Sequence, residues 1–196
     1  PVNVRELGVD AASFSSHKVG GPKGVGALYI SHEAPFAPSI FGGGQEAGRR
    51  SGTQNVCGAV GFAAACKHCA CAQPEEWHRL ANLRDKLYAG LALFEQIQPT
   101  VEVEPLSQDY LPNMVNVMVS GLESETLVLR FASLGFAVSG GSACSSSSLE
   151  ASHVLSAMGI RSDDALGELS ISLGRYTTEE DIEGFLACVP KVLSWE

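Results

Sequence analysis

The period of hydrophobic and polar positions changes several times along the chain, and each change predicts a new element. Residues 11–15 and 26–30 are short runs with the length and content of strands, and they flank a glycine-rich turn. Residues 31–52 show no period and include three consecutive glycines, which is typical of an irregular segment. The first part of the chain is therefore predicted to form two strands followed by a long loop.

Two helices are predicted next. Residues 54–72 are rich in alanine, a strong helix former, and their apolar character favours a buried helix. We expect a second helix from Pro74 to residue 98, because proline is well tolerated in a first turn and apolar residues then recur at steps of three and four. The recurring residues are Leu80, Leu83, Leu87, Leu91 and Phe94.

Shorter patterns alternate after Pro99. The predicted strands are 101–103, 114–119 and 169–173, and the predicted helices are 125–134, 153–158 and a last helix whose acidic first turn is 178–181. A Gly/Ser-rich loop is expected over 139–148. Strands that alternate with helices indicate an α/β fold, and a change of character near residue 72 divides the chain into segments 1–72 and 73–196.

Composition and charge argue against several classes of partner. The chain has 196 residues, 45% of them hydrophobic, which is enough for a real core. Its net charge of −9 argues against nucleic acid and against an anionic membrane surface. No apolar run approaches the roughly 20 residues of a membrane span and no secretory signal is visible, so we expect a cytoplasmic protein. Because the chain lacks an initiator methionine, we expect it to be the carboxy-terminal part of a longer protein.

The six cysteines are expected to be reduced thiols, as is usual in a cytosolic chain of this size. They are Cys57, Cys66, Cys69, Cys71, Cys144 and Cys188. Residues 66–71 read CKHCAC and contain a CxxC pair, but a second ligand pair at zinc-finger spacing is absent. Cysteines on a helix of small residues are more often packing residues, so no metal site is predicted.

Residues 13–26 read SFSSHKVGGPKGVG and place Lys18 at the start of a glycine-rich turn. A lysine placed just after groups that bind anions can form a Schiff base with a phosphorylated aldehyde cofactor. The hydroxyl of Ser15 and the imidazole of His17 are suitable donors to phosphate oxygens. The string resembles the lysine segment of class V aminotransferases, a family of pyridoxal-phosphate enzymes, and in particular that of cysteine desulfurases. The resemblance implies that Lys18 holds the cofactor and then acts as a general base, with Ser15 and His17 at the phosphate.

A second segment, 42–55, reads GGGQEAGRRSGTQN and resembles the GGGxE…RSGTxN stretch of the same family. The resemblance implies that Thr53 reaches across a dimer interface to the cofactor phosphate of the neighbouring subunit. From the residues alone, an anion site is expected ahead of a helix, since helix amino termini favour phosphate; its members are Arg49, Arg50, Ser51, Gly52 and Thr53. A flexible surface loop is the alternative.

A third segment, 138–146, reads VSGGSACSS and contains Cys144. A thiol among glycines and serines lacks the apolar neighbours of a core residue, so it should be an exposed nucleophile. The string resembles the SSGSACxS loop of cysteine desulfurases, and the resemblance implies that Cys144 receives sulfur.

The chain departs from the family pattern in strand 168–175, which reads ELSISLGR. The family has an arginine for the substrate carboxylate where this chain has Ser170, and a neutral hydroxyl cannot replace the charged fork of a guanidinium. Arg175 matches the second arginine of the family string. In the family, a histidine, an aspartate and a glutamine around the cofactor ring precede the lysine. They have no counterpart in this sequence, which begins at Pro1.

The resemblance implies a fold and an activity for the whole chain. Segment 1–72 would end a large pyridoxal-phosphate-binding mixed-sheet domain, and 73–196 would form the small carboxy-terminal α/β domain of a fold-type-I enzyme. The implied enzyme is a homodimer that moves sulfur from L-cysteine to a persulfide on Cys144 and releases L-alanine. An iron–sulfur scaffold or a tRNA-thiolation protein would accept the sulfur. Two alternatives stay open: a related lyase or aminotransferase with another substrate, and a non-catalytic module for dimerisation or sulfur relay.

Overall fold

The computed structural model describes residues 2–140 and 152–194. Its strands are β1 (Ala11–Ser15), β2 (Gly26–Ile30), β3 (Ile97–Pro99), β4 (Met114–Val119) and β5 (Glu168–Ser172). Its helices are α1 (Val56–Leu91), α2 (Ser124–Ser133), α3 (His153–Ala157), α4 (Ser162–Ala165) and α5 (Glu179–Leu193). Short 3-10 turns occupy Ser16–Val19 and Gln45–Gly48. None of the helices in these two ranges has the length and apolar content needed to cross a bilayer.

The chain divides into two compact units, Pro1–Pro74 and Glu75–Glu196. The first unit contains β1, β2 and the start of α1, and the second contains the remaining elements. Strands and helices are mixed in both, so the predicted α/β character is confirmed.

The first unit is built around an antiparallel hairpin. β1 pairs with β2 from Ala11 opposite Ile30 to Ser15 opposite Gly26, so both predicted strands are confirmed with their bounds. Only the 3-10 turn and a short glycine-rich segment separate the two strands. This hairpin fixes the position of the candidate lysine.

The described residues of the first unit form no buried hydrophobic core. Among its described residues no hydrophobic side chain is buried, and Leu28 on β2 and Val60 on α1 are 55% and 64% exposed. The prediction of a buried helix over 54–72 is therefore wrong: these positions are helical from Val56 onward, but most of them are exposed. Alanine content here predicted the helix but not its burial, because helix propensity does not depend on what packs against the helix.

Helix α1 is continuous through Pro74, which corrects the expectation of two helices. Proline removes one backbone donor and clashes with the carbonyl four residues earlier, and this weakens a helix without always ending it. The helix also ends at Leu91 rather than at residue 98, one residue after Gly90. A Cβ at Gly90 would lie 2.3 Å from a methyl carbon of Leu186, so glycine lets α5 approach α1 closely there.

The second unit is a three-stranded antiparallel sheet in the order β3-β4-β5, with one face covered by helices. Val115 on β4 pairs with Ile171 on β5, and Ile97 on β3 pairs with Val119. The core residues are Leu83, Leu87, Leu91, Ile97, Val115, Val117, Val119, Leu127, Phe131, Leu169, Ile171, Leu173, Ile182, Phe185, Val189 and Val192. Because alternate residues of a strand point to the same face, the sheet contributes Ile97 of β3 and the odd-numbered residues of β4 and β5 to this core.

Most short elements of the second unit are confirmed. β4 has the predicted bounds, and α2, α3 and β5 lie within one or two residues of theirs. Helix α5 begins after Thr178, whose hydroxyl accepts from the Asp181 backbone N–H while the Asp181 carboxylate accepts from the Thr178 N–H. This reciprocal capping explains why the polar run 178–181 marked the helix start so clearly.

The predicted strand at 101–103 is wrong. Strand β3 covers Ile97–Pro99 instead, and residues 101–103 are irregular although Val101 and Val103 are half-buried and Glu102 is exposed. Alternation of half-buried and exposed residues therefore shows that one side of the segment is apolar. It does not show that the segment pairs with a neighbouring strand. Glu102 and Val103 line a cavity of about 360 Å³ together with residues of α1, β3 and β4.

Candidate functional site

The candidate lysine lies on a tight turn directly after β1. Ser16–Val19 form a single 3-10 turn, and Gly20 ends it with a φ of +78°, a conformation that glycine adopts without strain. The N–H of Ser16 donates to Val25 O at 3.1 Å, and the N–H of Gly21 donates to Ser16 O at 3.0 Å. The backbone around Lys18 is thus held from both sides.

Three donor groups are exposed on this turn. Ser15, His17 and Lys18 are solvent-exposed, and none of their side chains has a hydrogen-bond partner within 2–140 or 152–194. A hydroxyl, an imidazole and an amine within four residues are suited to a ligand with both phosphate oxygens and an aldehyde carbon. The structure therefore brings together three of the predicted cofactor-binding residues.

Ser16 has the opposite environment. Its side chain is 0% exposed, and its hydroxyl has no hydrogen-bond partner among the described residues. A Cβ at Gly21 would lie 2.2 Å from that hydroxyl oxygen, so the two residues pack as closely as a glycine allows. The sequence motif did not single out this contact, because spacing along a chain does not report burial.

The lysine turn rests on one face of α1. Gly61, Ala65 and Cys69 lie four residues apart on one face of the helix, and all three are half-buried. A Cβ at Gly61 would lie 2.7 Å from the Pro22 ring, and the Cys69 thiol lies 3.5 Å from the Val19 carbonyl oxygen. The small residues of α1 therefore allow close approach of the turn, a role that the alanine-rich pattern did not reveal.

The second motif forms a loop closed by Ser51. The Ser51 hydroxyl donates to Gly43 O at 2.9 Å, and the Gly52 N–H donates to the side-chain oxygen of Gln45 at 3.3 Å. Between these points Glu46 and Ala47 have φ values of +51° and +55°, which are uncommon for residues with a Cβ. The loop is thus closed by two hydrogen bonds around a left-handed turn.

The groups expected to bind an anion in this loop have different environments. The Arg50 guanidinium donates to the carbonyl oxygen of Ser51, whereas Arg49 and Thr53 are exposed. The side chain of Asn55 accepts from the Gly58 N–H at 2.9 Å and so caps the first turn of α1. Thr53 therefore lies just ahead of a helix start whose amides are partly satisfied.

The residues expected near a substrate belong to the second unit. Ser170 is half-buried on β5, on the sheet face opposite the core, together with Glu168 and with its cross-strand neighbour Asn116. The Asn116 amide donates to the Glu168 carboxylate at 3.0 Å. Arg175 is exposed on the turn between β5 and α5. Ser170 thus has a buried carboxylate, not a cation, beside it on the strand.

The start of the cysteine loop is tied to the same strand. The N–H of Ser139 donates to Ser170 O at 3.0 Å, and the N–H of Ser170 donates to Ser139 O at 2.7 Å. Cys144 itself lies outside the described residues. Its predicted role rests on the sequence alone.

The cysteine cluster on α1 behaves as surface residues. Cys66 and Cys71 are exposed and Cys69 is half-buried, so the packing role holds in part, for Cys69. No group of three or more His, Cys, Asp or Glu side chains suited to a metal ion occurs in the part of the chain that the structure describes.

Comparison with known proteins gives consistent results. A family model described as aminotransferase class-V matches residues 1–185. A relative named cysteine desulfurase IscS 1, from Archaeoglobus fulgidus, is 42% identical over 192 residues, which cover 98% of this chain and 49% of the relative. The chain spans about half the length of the curated relatives it matches.

Solved structures agree with these sequence comparisons. A NifS-like protein superposes with a TM-score of 0.85 at 38% identity, over 98% of this chain and 48% of its own. SspA in complex with cysteine superposes with a TM-score of 0.59 at 32% identity, over 90% of this chain and 47% of its own. The expected resemblance and fold class are therefore confirmed, and the chain belongs to the aminotransferase class-V family.

Proposed function

We propose that this chain is part of a pyridoxal-phosphate-dependent cysteine desulfurase. The observation that supports the proposal most directly is the lysine turn, where Ser15, His17 and Lys18 present free donors on a backbone held at both ends. The similarity to proteins named cysteine desulfurase supports the same activity. We further assign 1–72 to the large cofactor-binding domain and 73–196 to the small domain, in a cytoplasmic enzyme.

The donor set fits the cofactor. The Ser15 hydroxyl and the His17 imidazole would bind its phosphate, and the Lys18 amine would hold its aldehyde carbon. Thr53 would contribute a hydroxyl to the phosphate bound by the other subunit of a homodimer. Bound in this way, the cofactor supplies an electron sink for carbanion chemistry at the substrate α-carbon. The Lys18 amine would then move the proton at that carbon.

The proposed reaction transfers one sulfur atom. The Cys144 sulfur attacks the sulfur of L-cysteine, a sulfur–sulfur bond forms, and the carbon–sulfur bond of the substrate breaks. The transferred sulfur is oxidised while the released carbon is reduced and gains a proton, so a thiol and L-cysteine give a persulfide and L-alanine. Because the thiolate is the nucleophile, a nearby base or a lowered pKa of Cys144 would accelerate this step. An iron–sulfur scaffold or a tRNA-thiolation protein would then accept the sulfur.

A second candidate is a related lyase or aminotransferase with a different substrate. Ser170 and the neighbouring carboxylate of Glu168 favour it, because a neutral hydroxyl binds the carboxylate of L-cysteine more weakly than a guanidinium does and the Glu168 carboxylate repels it. In the proposed desulfurase Arg175 would bind that carboxylate instead, and the solved relative with bound cysteine supports the first candidate.

The proposal is tested by measuring alanine and sulfide from L-cysteine in the purified full-length protein. Cys144→Ser should keep cofactor binding and lose sulfide release, whereas Cys57→Ser and Cys188→Ser should keep both. Both control residues are free cysteines in the structure. If Cys144→Ser releases sulfide at the wild-type rate, Cys144 is not the sulfur carrier. If the wild type releases alanine from no thiol amino acid, the second candidate takes its place.

A further inference from the structure

The turn that links β5 to α5 is held by a side chain of α1. The Nη1 of Arg79 donates to Thr177 O at 2.6 Å, and its Nη2 donates to the carbonyl oxygens of Gly174 and Arg175, each at 3.0 Å. The Glu76 carboxylate accepts from Nε at 3.2 Å and from Nη2 at 2.9 Å. A single guanidinium therefore binds three carbonyls of the turn and is itself oriented by a carboxylate.

Hydrogen bonds between residues of the turn hold the rest of its backbone. The Gly174 N–H donates to the Thr177 hydroxyl at 2.9 Å, and the Thr177 N–H donates to Gly174 O at 3.1 Å. The next residue, Thr178, caps α5. The backbone on both sides of Arg175 is thus fixed, while the Arg175 side chain is exposed.

Charges around this turn leave one cation available. Arg79, Lys86 and Arg175 line a groove of about 650 Å³ beside α1. The Lys86 ammonium donates to Glu179 at 2.9 Å and to Glu183 at 2.7 Å, and Arg79 is paired as described above. The Arg175 guanidinium has no acidic partner within the described residues. Of these three cations, it is therefore the one free to bind an anion.

We infer that Arg79 is a positioning residue: it holds the backbone from which the Arg175 guanidinium reaches the carboxylate of an amino-acid substrate. This inference rests on the proposed function, in which Arg175 takes the place of the arginine missing at Ser170. A fixed turn lowers the ordering cost of binding, because the backbone of Arg175 does not have to be immobilised when substrate arrives. Arg79 does not touch the substrate in this scheme.

The effect of removing Arg79 is specific for the carboxylate. Arg79→Met keeps the apolar stem but frees three carbonyls, so the turn loses its anchor. We expect the KM for L-cysteine to rise about tenfold or more, the range for weakening a charge-assisted contact, with kcat unchanged. L-Cysteinamide has no carboxylate, so its KM should change less than about twofold. Arg79→Lys keeps the charge without the planar fork and should restore only part of the affinity.

The experiment compares sulfide release from L-cysteine and L-cysteinamide in the full-length protein loaded with pyridoxal phosphate. Arg161→Met is the matched control, because Arg161 is 77% exposed and its ion pairs to Asp163 and Asp164 are 3.7 and 4.0 Å long. Hydrogen exchange at the Thr177 amide, measured without substrate, should accelerate in Arg79→Met and not in Arg161→Met. A KM for L-cysteine that stays unchanged, or that rises equally for both substrates, overturns the inference, as does unchanged exchange at Thr177.

Failure of the proposed function has a different outcome. If the wild type releases sulfide from neither compound, the desulfurase assignment is wrong, and binding of L-alanine and L-alaninamide by calorimetry replaces the kinetic comparison. Arg79→Met should then weaken only L-alanine, and equal weakening of both ligands or of neither overturns the role of Arg79.

Discussion

The close contact between Ser16 and Gly21 allows us to predict how substitutions at these two positions change the free energy of unfolding. The Ser16 hydroxyl is buried without a hydrogen-bond partner among the described residues, and burying an unsatisfied polar group costs about 1–3 kcal/mol. Ser16→Ala removes that group while keeping its Cβ. We therefore expect the variant to be more stable than the wild type, by about 1 kcal/mol in the free energy of unfolding.

The opposite result is expected for Gly21→Ala. The added Cβ would lie 2.2 Å from the Ser16 hydroxyl oxygen, 3.2 Å from Ser16 O and 3.3 Å from the Cβ of Ala65. Overpacking by one carbon typically costs about 1–3 kcal/mol, and the lower entropy of the unfolded chain offsets about 0.4–1 kcal/mol of it. The net loss should be about 1–2 kcal/mol.

The two substitutions should be strongly coupled. With Ser16→Ala in place, the shortest of the three contacts disappears and only the two longer ones remain. Gly21→Ala should then cost roughly 1 kcal/mol less than in the wild type, a coupling well above the 0.3–0.5 kcal/mol of independent sites. This double-mutant cycle is measured by denaturant unfolding of the full-length protein, with hydrogen exchange at the Gly21 amide as a local probe.

Gly20→Ala provides the matched control for this cycle. Gly20 has a φ of +78° and open space where a Cβ would be, so alanine there is strained by backbone conformation and not by contact. It should cost about 1–2 kcal/mol whether residue 16 is serine or alanine. Additivity of Ser16→Ala with Gly21→Ala, or a loss of stability in Ser16→Ala alone, would refute the reasoning.

Three further predictions concern the cofactor, the substrate and pH. Lys18→Ala should remove the visible absorption of protein-bound cofactor and all turnover, and an unchanged spectrum would contradict its role. Ser170→Arg should lower the KM for L-cysteine. The decrease should be larger when Glu168→Gln is added, because the Glu168 side chain lies two residues away on the same face and competes for the new guanidinium. A KM that stays constant or rises would indicate that another group holds the substrate carboxylate or that the substrate is not cysteine. Burial raises the pKa of Tyr88, whose oxygen accepts from the Asn116 N–H, so the folded state retains the phenol proton better than the unfolded state. The free energy of unfolding should therefore fall as pH rises above about 10. Tyr88→Phe should flatten that decline in alkaline unfolding curves.

The sequence by itself determined the elements whose signals are local. The strands on either side of Lys18 were predicted with their bounds, because short apolar runs beside glycines specify strand and turn within a few residues. The start of α5 at Thr178 was also readable, since its cap is made by a residue three positions away. The family was evident for the same reason: its motifs are continuous strings around Lys18, Thr53 and Cys144.

Only the tertiary structure decided features that depend on residues far apart in the chain. The exposure of α1 in the first unit and its continuity through Pro74 depend on what surface is available for packing, which helix propensity does not encode. The clamp of Arg79 on the turn near Arg175 joins residues about a hundred positions apart. The contact that makes Gly21 necessary is with Ser16, a residue whose burial the sequence did not reveal. Burial and long-range hydrogen bonds arise when distant segments meet in space, so no periodicity along the chain reports them.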